Sequence, residues 1–281
     1  MDLEWNPDIA VGDWIAPRLL SWIGDGEGVR VCSQVPVGYE SYLRLLHPIG
    51  SGTWREACAY FGKVYHPLVQ WTHVALGRSG RSCPASDVAP DYDNDDPADG
   101  SLDSTKLRLL VAALSAEAPE SARAVNYGLW NGFGGFRGRG AAMTFGVDAD
   151  GASFSRETVG ADASILDGPT FELPGRSYFL FSGPLTAEDN WGVDRFTQSP
   201  NLMWPDDRSW FVATEIDWDS TLIVGSEHLI AAIEAVAGLE TFRVQPHDDL
   251  SWAGDTLNPD DPPREVLINA VPSEDVLGGM S

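Results

Sequence analysis

The sequence predicts an α+β fold: an antiparallel or mixed β-sheet flanked by helices, with a helix-rich N-terminal part. Three observations predict it. Apolar residues recur at helical spacing through the first part of the chain, whereas hairpin-like alternating stretches cluster from residue 124 to 244. Between them, residues 78–101 (RSGRSCPASDVAPDYDNDDPADGS) are rich in Gly, Pro, Ser and Asp. This divides the chain into a helix-rich part at 1–77, an acidic flexible loop or linker at 78–101, and a sheet-containing part at 102–281. The linker either separates two lobes or is a long loop within a single domain.

In the first part, Pro17 suits the first position of a short helix over RLLSWI, with Gly24 at its exit. Residues 29–35 read as a strand. Residues 37–47 read as an amphipathic helix, because Tyr39, Tyr42, Leu43 and Leu46 recur at helical spacing and Pro48 stops the run. Thr53-Trp-Arg-Glu56 has the form of a capping box, and Trp54, Cys58 and Phe61 then share a face that ends at Gly62. Cys58 on that face belongs to the core. His66 and His73 are two helical turns apart, but Pro67 between them favours surface or helix-end roles. The DYDNDD run within the linker resembles a calcium loop only superficially. Asp96 stands where the turn requires glycine, and Leu102 where a bidentate glutamate is needed.

The second part opens with a helix from Ser101, buried along Leu107, Leu110, Val111 and Leu114 and closed by Pro119. Residues 124–130 form a strand that runs into NGFGGFRGRG. Here Gly132 and Gly134 begin a dinucleotide fingerprint, but Arg137 occupies the place of its third glycine, so a glycine-rich hairpin is expected instead. A strand at 170–173, a type II turn at Pro174-Gly175 and a strand at 178–182 follow, with Arg176 at the rim. Ser226 caps a helix over 227–237, with Leu229, Ile230, Ile233 and Val236 inward and Gly238 at its exit. Residues 240–244 form one more strand. A loop-like, acidic tail with a short apolar run at 266–271 completes the chain.

Composition narrows the function classes. The hydrophobic fraction of 43% belongs to a globular protein rather than a disordered one. With 42 acids against 18 bases, the net charge of −24 repels phosphate backbones and anionic lipid. Nucleic-acid binding by a basic groove and membrane association are therefore not expected. The same charge suits either plain solubility or a basic protein partner. The cysteines (Cys32, Cys58, Cys83) lack metal-ligand spacing, and the acidic N-terminus lacks a basic targeting region. A cytoplasmic location is expected.

Candidate chemistry centres on residues 210–219. The alternation WFVATEIDWD, read as one extended strand, lines Glu215, Asp217 and Asp219 along one face about 7 Å apart. Carboxylates so placed repel one another unless solvent, arginines such as Arg208 or Arg176, or a divalent cation offsets them. The three are thus candidate metal ligands. Arg176, Trp204, Asp206, Arg208 and Trp210 are candidate binding residues, and Trp130 with Trp204, Trp210 and Arg176 would line a small-ligand pocket. No G-x-S-x-G occurs.

Asp217-Trp-Asp219-Ser-Thr221 resembles the first motif of the haloacid-dehalogenase phosphatases. That resemblance implies Asp217 as nucleophile, Asp219 as general acid/base and Mg2+ as cofactor. The lysine that family uses downstream is missing, because no Lys follows Lys106. Longer segments, VPVGYESYLRLLHPI, ELPGRSYFLFSGPL and SPNLMWPDDRSWFVATEIDWDSTLIVGS, resemble a recurring family of actinobacterial proteins of unknown function. The first of them also resembles SUKH-type immunity proteins. The expectation is a non-catalytic interaction protein of immunity or regulatory type, without a cofactor, that binds a basic protein through its acidic surface. The alternative is a divalent-metal-dependent phosphoester hydrolase built on Glu215, Asp217 and Asp219.

Overall fold

The computed structural model describes residues 3–20, 29–75, 96–133, 146–147, 153–154, 163–185 and 198–258. The strands are β1 (Glu4–Trp5), β2 (Ser41–Leu46), β3 (Val125–Trp130), β4 (Gly146–Val147), β5 (Ser153–Phe154), β6 (Phe171–Leu173), β7 (Arg176–Gly183), β8 (Leu202–Pro205), β9 (Phe211–Thr214), β10 (Ser220–Gly225) and β11 (Thr241–Val244). The helices are α1 (Val31–Gln34), α2 (Trp54–Phe61), α3 (Trp71–Ala75), α4 (Ser104–Glu117), α5 (Ala163–Leu166) and α6 (Glu227–Glu234). Nine strands form one sheet in the order β1-β7-β3-β8-β9-β10-β2-β11, with β6 also on β7. Every pairing among the described strands is antiparallel. The fold is α+β, as the sequence predicts.

Alternation along the strands sorts the core onto the two faces of the sheet. Trp210, Val212, Ile223, Leu43, Leu45, Tyr127 and Phe179 pack under α4 and α6. Phe211, Ala213, Leu222, Val224, Leu202 and Trp204 pack against Ile15, Val31 and Val35 from the N-terminal segments. A third cluster joins Leu46 to Trp54 and Cys58 of α2 and to Val69, Trp71 and Val74. The buried stripe of α4 is Leu107, Leu110, Val111 and Leu114, as its spacing predicts, although Asp103 rather than Ser101 caps it. The Thr53 capping box, the left-handed Gly62, the Ser226 cap and the positive φ of Gly175 also match expectation.

Two N-terminal expectations are corrected. Residues 41–46 form β2, not a helix. β2 is hydrogen-bonded to β10 on one side and β11 on the other, and all six of its residues are buried. A strand covered on both faces loses its polar alternation, so an apolar run of this kind also fits a helical template. Conversely, the expected strand at 29–35 contains a helical turn, α1. The third correction falls on the acidic strand. β9 ends at Thr214, and residues 215–219 form a turn into β10, in which the Trp218 N–H donates to Glu215 O (3.1 Å). The expected row of three carboxylates on one face does not exist. The linker up to residue 95, the glycine-rich stretch from 134 with Arg137 and Arg139, residues 186–197, Cys83 and the tail from 259 lie outside the described residues.

Candidate functional site

The acidic turn sits where β9 hands over to β10, and long-range arginines hold it. Arg176 is the first residue of β7, just past the Pro174-Gly175 turn. Its Nε donates to Glu215 Oε1 (3.0 Å), and its Nη2 donates to Glu215 Oε1 (2.5 Å) and Asp217 Oδ2 (2.7 Å). The Glu215 side chain is 2% exposed, while that of Asp217 is 73% exposed. Burial pushes the Glu215 carboxyl above its ordinary pKa, against the opposing pull of the Arg176 guanidinium.

Asp219 turns the other way. Its Oδ1 accepts from Nη2 of Arg44 (3.2 Å), a β2 arginine that is 1% exposed. Arg44 also donates through Nε to Ser220 Oγ and through Nη1 to the carbonyls of Pro67 and Val69. Desolvation lowers the pKa of this guanidinium and Asp219 opposes that shift, so the interior cation is held by four acceptors, one of them charged.

Beside this pair runs a neutral relay. His47, fully buried, places Nδ1 2.6 Å from Ala98 O and Nε2 3.0 Å from Thr221 Oγ1. A carbonyl only accepts, so Nδ1 carries the proton and Nε2 accepts from the Thr221 hydroxyl. Thr214 Oγ1 lies 2.8 Å further on. Burial lowers the His47 pKa, which keeps the ring uncharged. The segment 96–100 thereby lies against the turn, where the Gly100 N–H donates to Trp218 O (2.9 Å). Gly100 has φ +72°, and a Cβ there would lie 2.4 Å from Ile216 O, so only glycine fits. Asp99 on this segment is raised above its usual pKa by partial desolvation and by the charges of Asp219, Asp217 and Asp96. Asp96, Asp99 and Asp217 are exposed.

The sequence-derived candidates are therefore only partly brought together. Arg176 joins Glu215 and Asp217, but Asp219 belongs to Arg44. Asp206 and Arg208 sit on the loop before β9, at the opposite end of that strand from the turn. Asp206 accepts from Asn126 Nδ2 (2.8 Å), and Arg208, with φ 57°, lies over the Trp14 ring. Trp204 and Trp210 are buried in clusters on opposite faces of the sheet, so with Trp130 and Arg176 they line no common pocket. Nor do the three carboxylates form one coordination set for Mg2+, because guanidinium groups occupy their inward oxygens from two directions. Among the described residues, no group of three His, Cys, Asp or Glu is arranged to hold a metal ion.

Sequence reasoning missed two other polar constellations. A cleft of about 690 Å³ opens at the other end of the sheet, beside Tyr39, Glu227 and Arg243. Arg243 Nη1 donates to Glu227 Oε2 (2.8 Å) and to Ser41 Oγ (2.9 Å), and the Ser41 hydroxyl donates to Glu227. These bonds, Arg243's first, hold the Glu227 carboxyl below its usual pKa. The second constellation is a clasp around Asp255, whose side chain is 0% exposed. Asp255 accepts from His66 Nε2 (2.7 Å), the Gln70 N–H (3.0 Å) and both the N–H and Nδ2 of Asn258, with His73 Nδ1 at 3.6 Å. Burial alone would raise its pKa, but these donors outweigh it and the net shift is downward. His66 and His73 thus meet on one carboxylate without sharing a helix, since α3 begins only at Trp71. The spacing D-x-x-N at 255–258 suggests a local turn, but nothing in the sequence shows which histidines it meets.

No family model, curated protein or solved structure matches this chain. Among the described residues, no helix is long and apolar enough to cross a membrane.

Proposed function

We propose that the protein is a non-catalytic interaction protein of immunity or regulatory type that binds a basic partner protein through its acidic surface. One observation carries this reading: acids at the turn stay in solvent, while three of the described arginines are already paired with carboxylates of the chain. Arg44 pairs with Asp219, Arg176 with the buried Glu215 and Arg243 with Glu227, while Asp96, Asp99 and Asp217 are exposed at the acidic turn. Such a surface attracts cations and speeds encounter with a basic protein. The free, buried Cys32 and Cys58 suit a reducing cytoplasm.

The test is calorimetric titration with an arginine–glycine peptide at low and at physiological salt. Saturable binding that weakens with salt, and weakens further in Asp99→Asn with Asp217→Asn, is expected. No binding at low salt would overturn the reading. A melting temperature raised by magnesium or manganese and lost in Asp217→Asn would favour the metal-dependent hydrolase instead.

A further inference from the structure

Arg18 and Arg208 differ from the arginines that hold the fold together. Arg44, Arg123, Arg176 and Arg243 each face a carboxylate. Among the described residues, no carboxylate pairs with Arg18 or Arg208, and the two exposed side chains instead share one aromatic ring. The Arg18 Cζ lies 5.7 Å and the Arg208 Cζ 5.3 Å from the centroid of Trp14, and Arg18 is also 6.0 Å from the Tyr39 ring.

The backbone is bent to present Arg208. Its N–H donates to Pro205 O (2.9 Å), which closes a tight turn, and the residue takes φ 57°. It alone among the described non-glycine residues has a positive φ, a conformation that glycine or asparagine adopts with less strain. An arginine standing where the turn favours glycine points to a use for its side chain. Gly38, with φ +101°, lies against Arg18, since a Cβ there would stand 3.4 Å from Nη2. Tyr39 ties the two sides together by donating its hydroxyl proton to Arg208 O (2.9 Å). Partial burial pushes the Tyr39 phenol well above its ordinary pKa, so it stays neutral and supplies no negative charge. The neighbouring acids do not supply it either. Asp206 accepts from Asn126, Asp207 accepts from Ser121 and the Ser209 N–H, and the exposed Asp13 pairs with neither arginine.

Two cations over one ring repel each other, and exposed cation–π contacts offset only part of that repulsion. An anion that accepts from both removes it. We propose that Arg18 and Arg208 form a site for a small phosphoryl ligand, a phosphate monoester or free phosphate. A phosphoryl group carries close to two negative charges and three acceptor oxygens, which suits two guanidinium forks, whereas a carboxylate matches one. Screening sets the size. Charges beyond about 8 Å are largely screened at physiological salt, so a small anion meets the arginines, while an extended polyanion meets the −24 of the whole chain. This site lies at the opposite end of β9 from the acidic turn and does not rest on the basic-partner reading.

The test is calorimetric titration of the full chain with inorganic phosphate, glycerol phosphate and acetate at one ionic strength. Saturable binding of a phosphoryl probe, and none of acetate, is expected. Glycerol phosphate binding at least as tightly as phosphate would assign an ester as the ligand, and the reverse order would assign the free ion. Arg18→Gln and Arg208→Asn should each weaken binding roughly tenfold or more. Asparagine suits the left-handed backbone, so Arg208→Asn should melt no lower than the wild type. Arg55→Gln, at an arginine over the Tyr65 ring, and Asp217→Asn should leave phosphoryl binding unchanged. No saturable phosphoryl binding, equal binding of acetate, unchanged binding in Arg18→Gln and Arg208→Asn, or an equal loss in Arg55→Gln would each overturn the site. A lower melting temperature in Arg208→Asn with phosphoryl binding intact would show an arginine kept for the turn alone, and would overturn it too.

Discussion

The acidic turn and the Asp255 clasp solve the same problem in different ways. Each brings carboxylates out of water, at a cost that must be offset locally. At the turn the offset is a full positive charge, Arg176 for Glu215 and Arg44 for Asp219. At the clasp it is a ring of dipoles and a histidine. The difference shows in what each region leaves over. An arginine reaching the turn from β7 fixes two acids and leaves Asp217 mostly in solvent, whereas the clasp consumes its carboxylate completely. One region therefore keeps charge for an encounter. The other spends its charge on holding a loop in place.

The largest expected effect is at the turn's interior arginine. Arg44→Met strands Asp219 and removes donors from Ser220, Pro67 O and Val69 O, and should cost about 3–5 kcal/mol in chemical denaturation. Arg176→Gln leaves Glu215 buried and should cost somewhat less, still of order 3 kcal/mol. Its exposed acid behaves differently: Asp217→Asn should change stability by at most about 1 kcal/mol. Equal losses at Asp217 and Arg176 would break the distinction drawn between the buried and exposed members of the turn.

At the clasp, Asp255→Ala removes acceptors from several donors but strands no cation, so a loss of about 1–3 kcal/mol is expected. The same contrast appears in acid. His47 has a folded pKa lowered below 6.5, so the unfolded state binds the extra proton. Stability is then complete above that value and falls as pH drops below it. Asp255 is also lowered, from 3.8, and its contribution is present above that value and lost as pH falls through the folded pKa. A wild-type stability curve should therefore begin to fall below about pH 6.5, and His47→Gln should flatten this first decline while sparing the second. An unchanged first decline would mean that other groups govern it.

What the sequence made legible is local chemistry. The α4 stripe, the Thr53 box and the Ser226 cap each depend on residues a few positions apart, so their spacing records them. β2 was illegible as a strand because a centre strand buried on both faces has no alternation, and Tyr39, Tyr42, Leu43 and Leu46 happen to match a helical period. The acidic turn was half legible. The alternation from Trp210 to Thr214 holds, with Trp210 and Val212 on one face and Phe211 and Ala213 on the other, but the strand ends where Glu215 meets Arg176. That partner is 39 residues away, Arg44 is 175 from Asp219, and His66 is 189 from Asp255. Partners so distant in sequence are brought together only by the strand order, which no local pattern encodes.

Glu215, Asp217 and Asp219 are arginine-held elements of a turn and do not converge as one set of metal ligands. Thermal melting with and without magnesium, manganese or calcium, at constant ionic strength, tests it most directly. The same melting temperature is expected with each ion for both the wild type and Asp217→Asn. A rise specific to one cation that Asp217→Asn abolishes would contradict it.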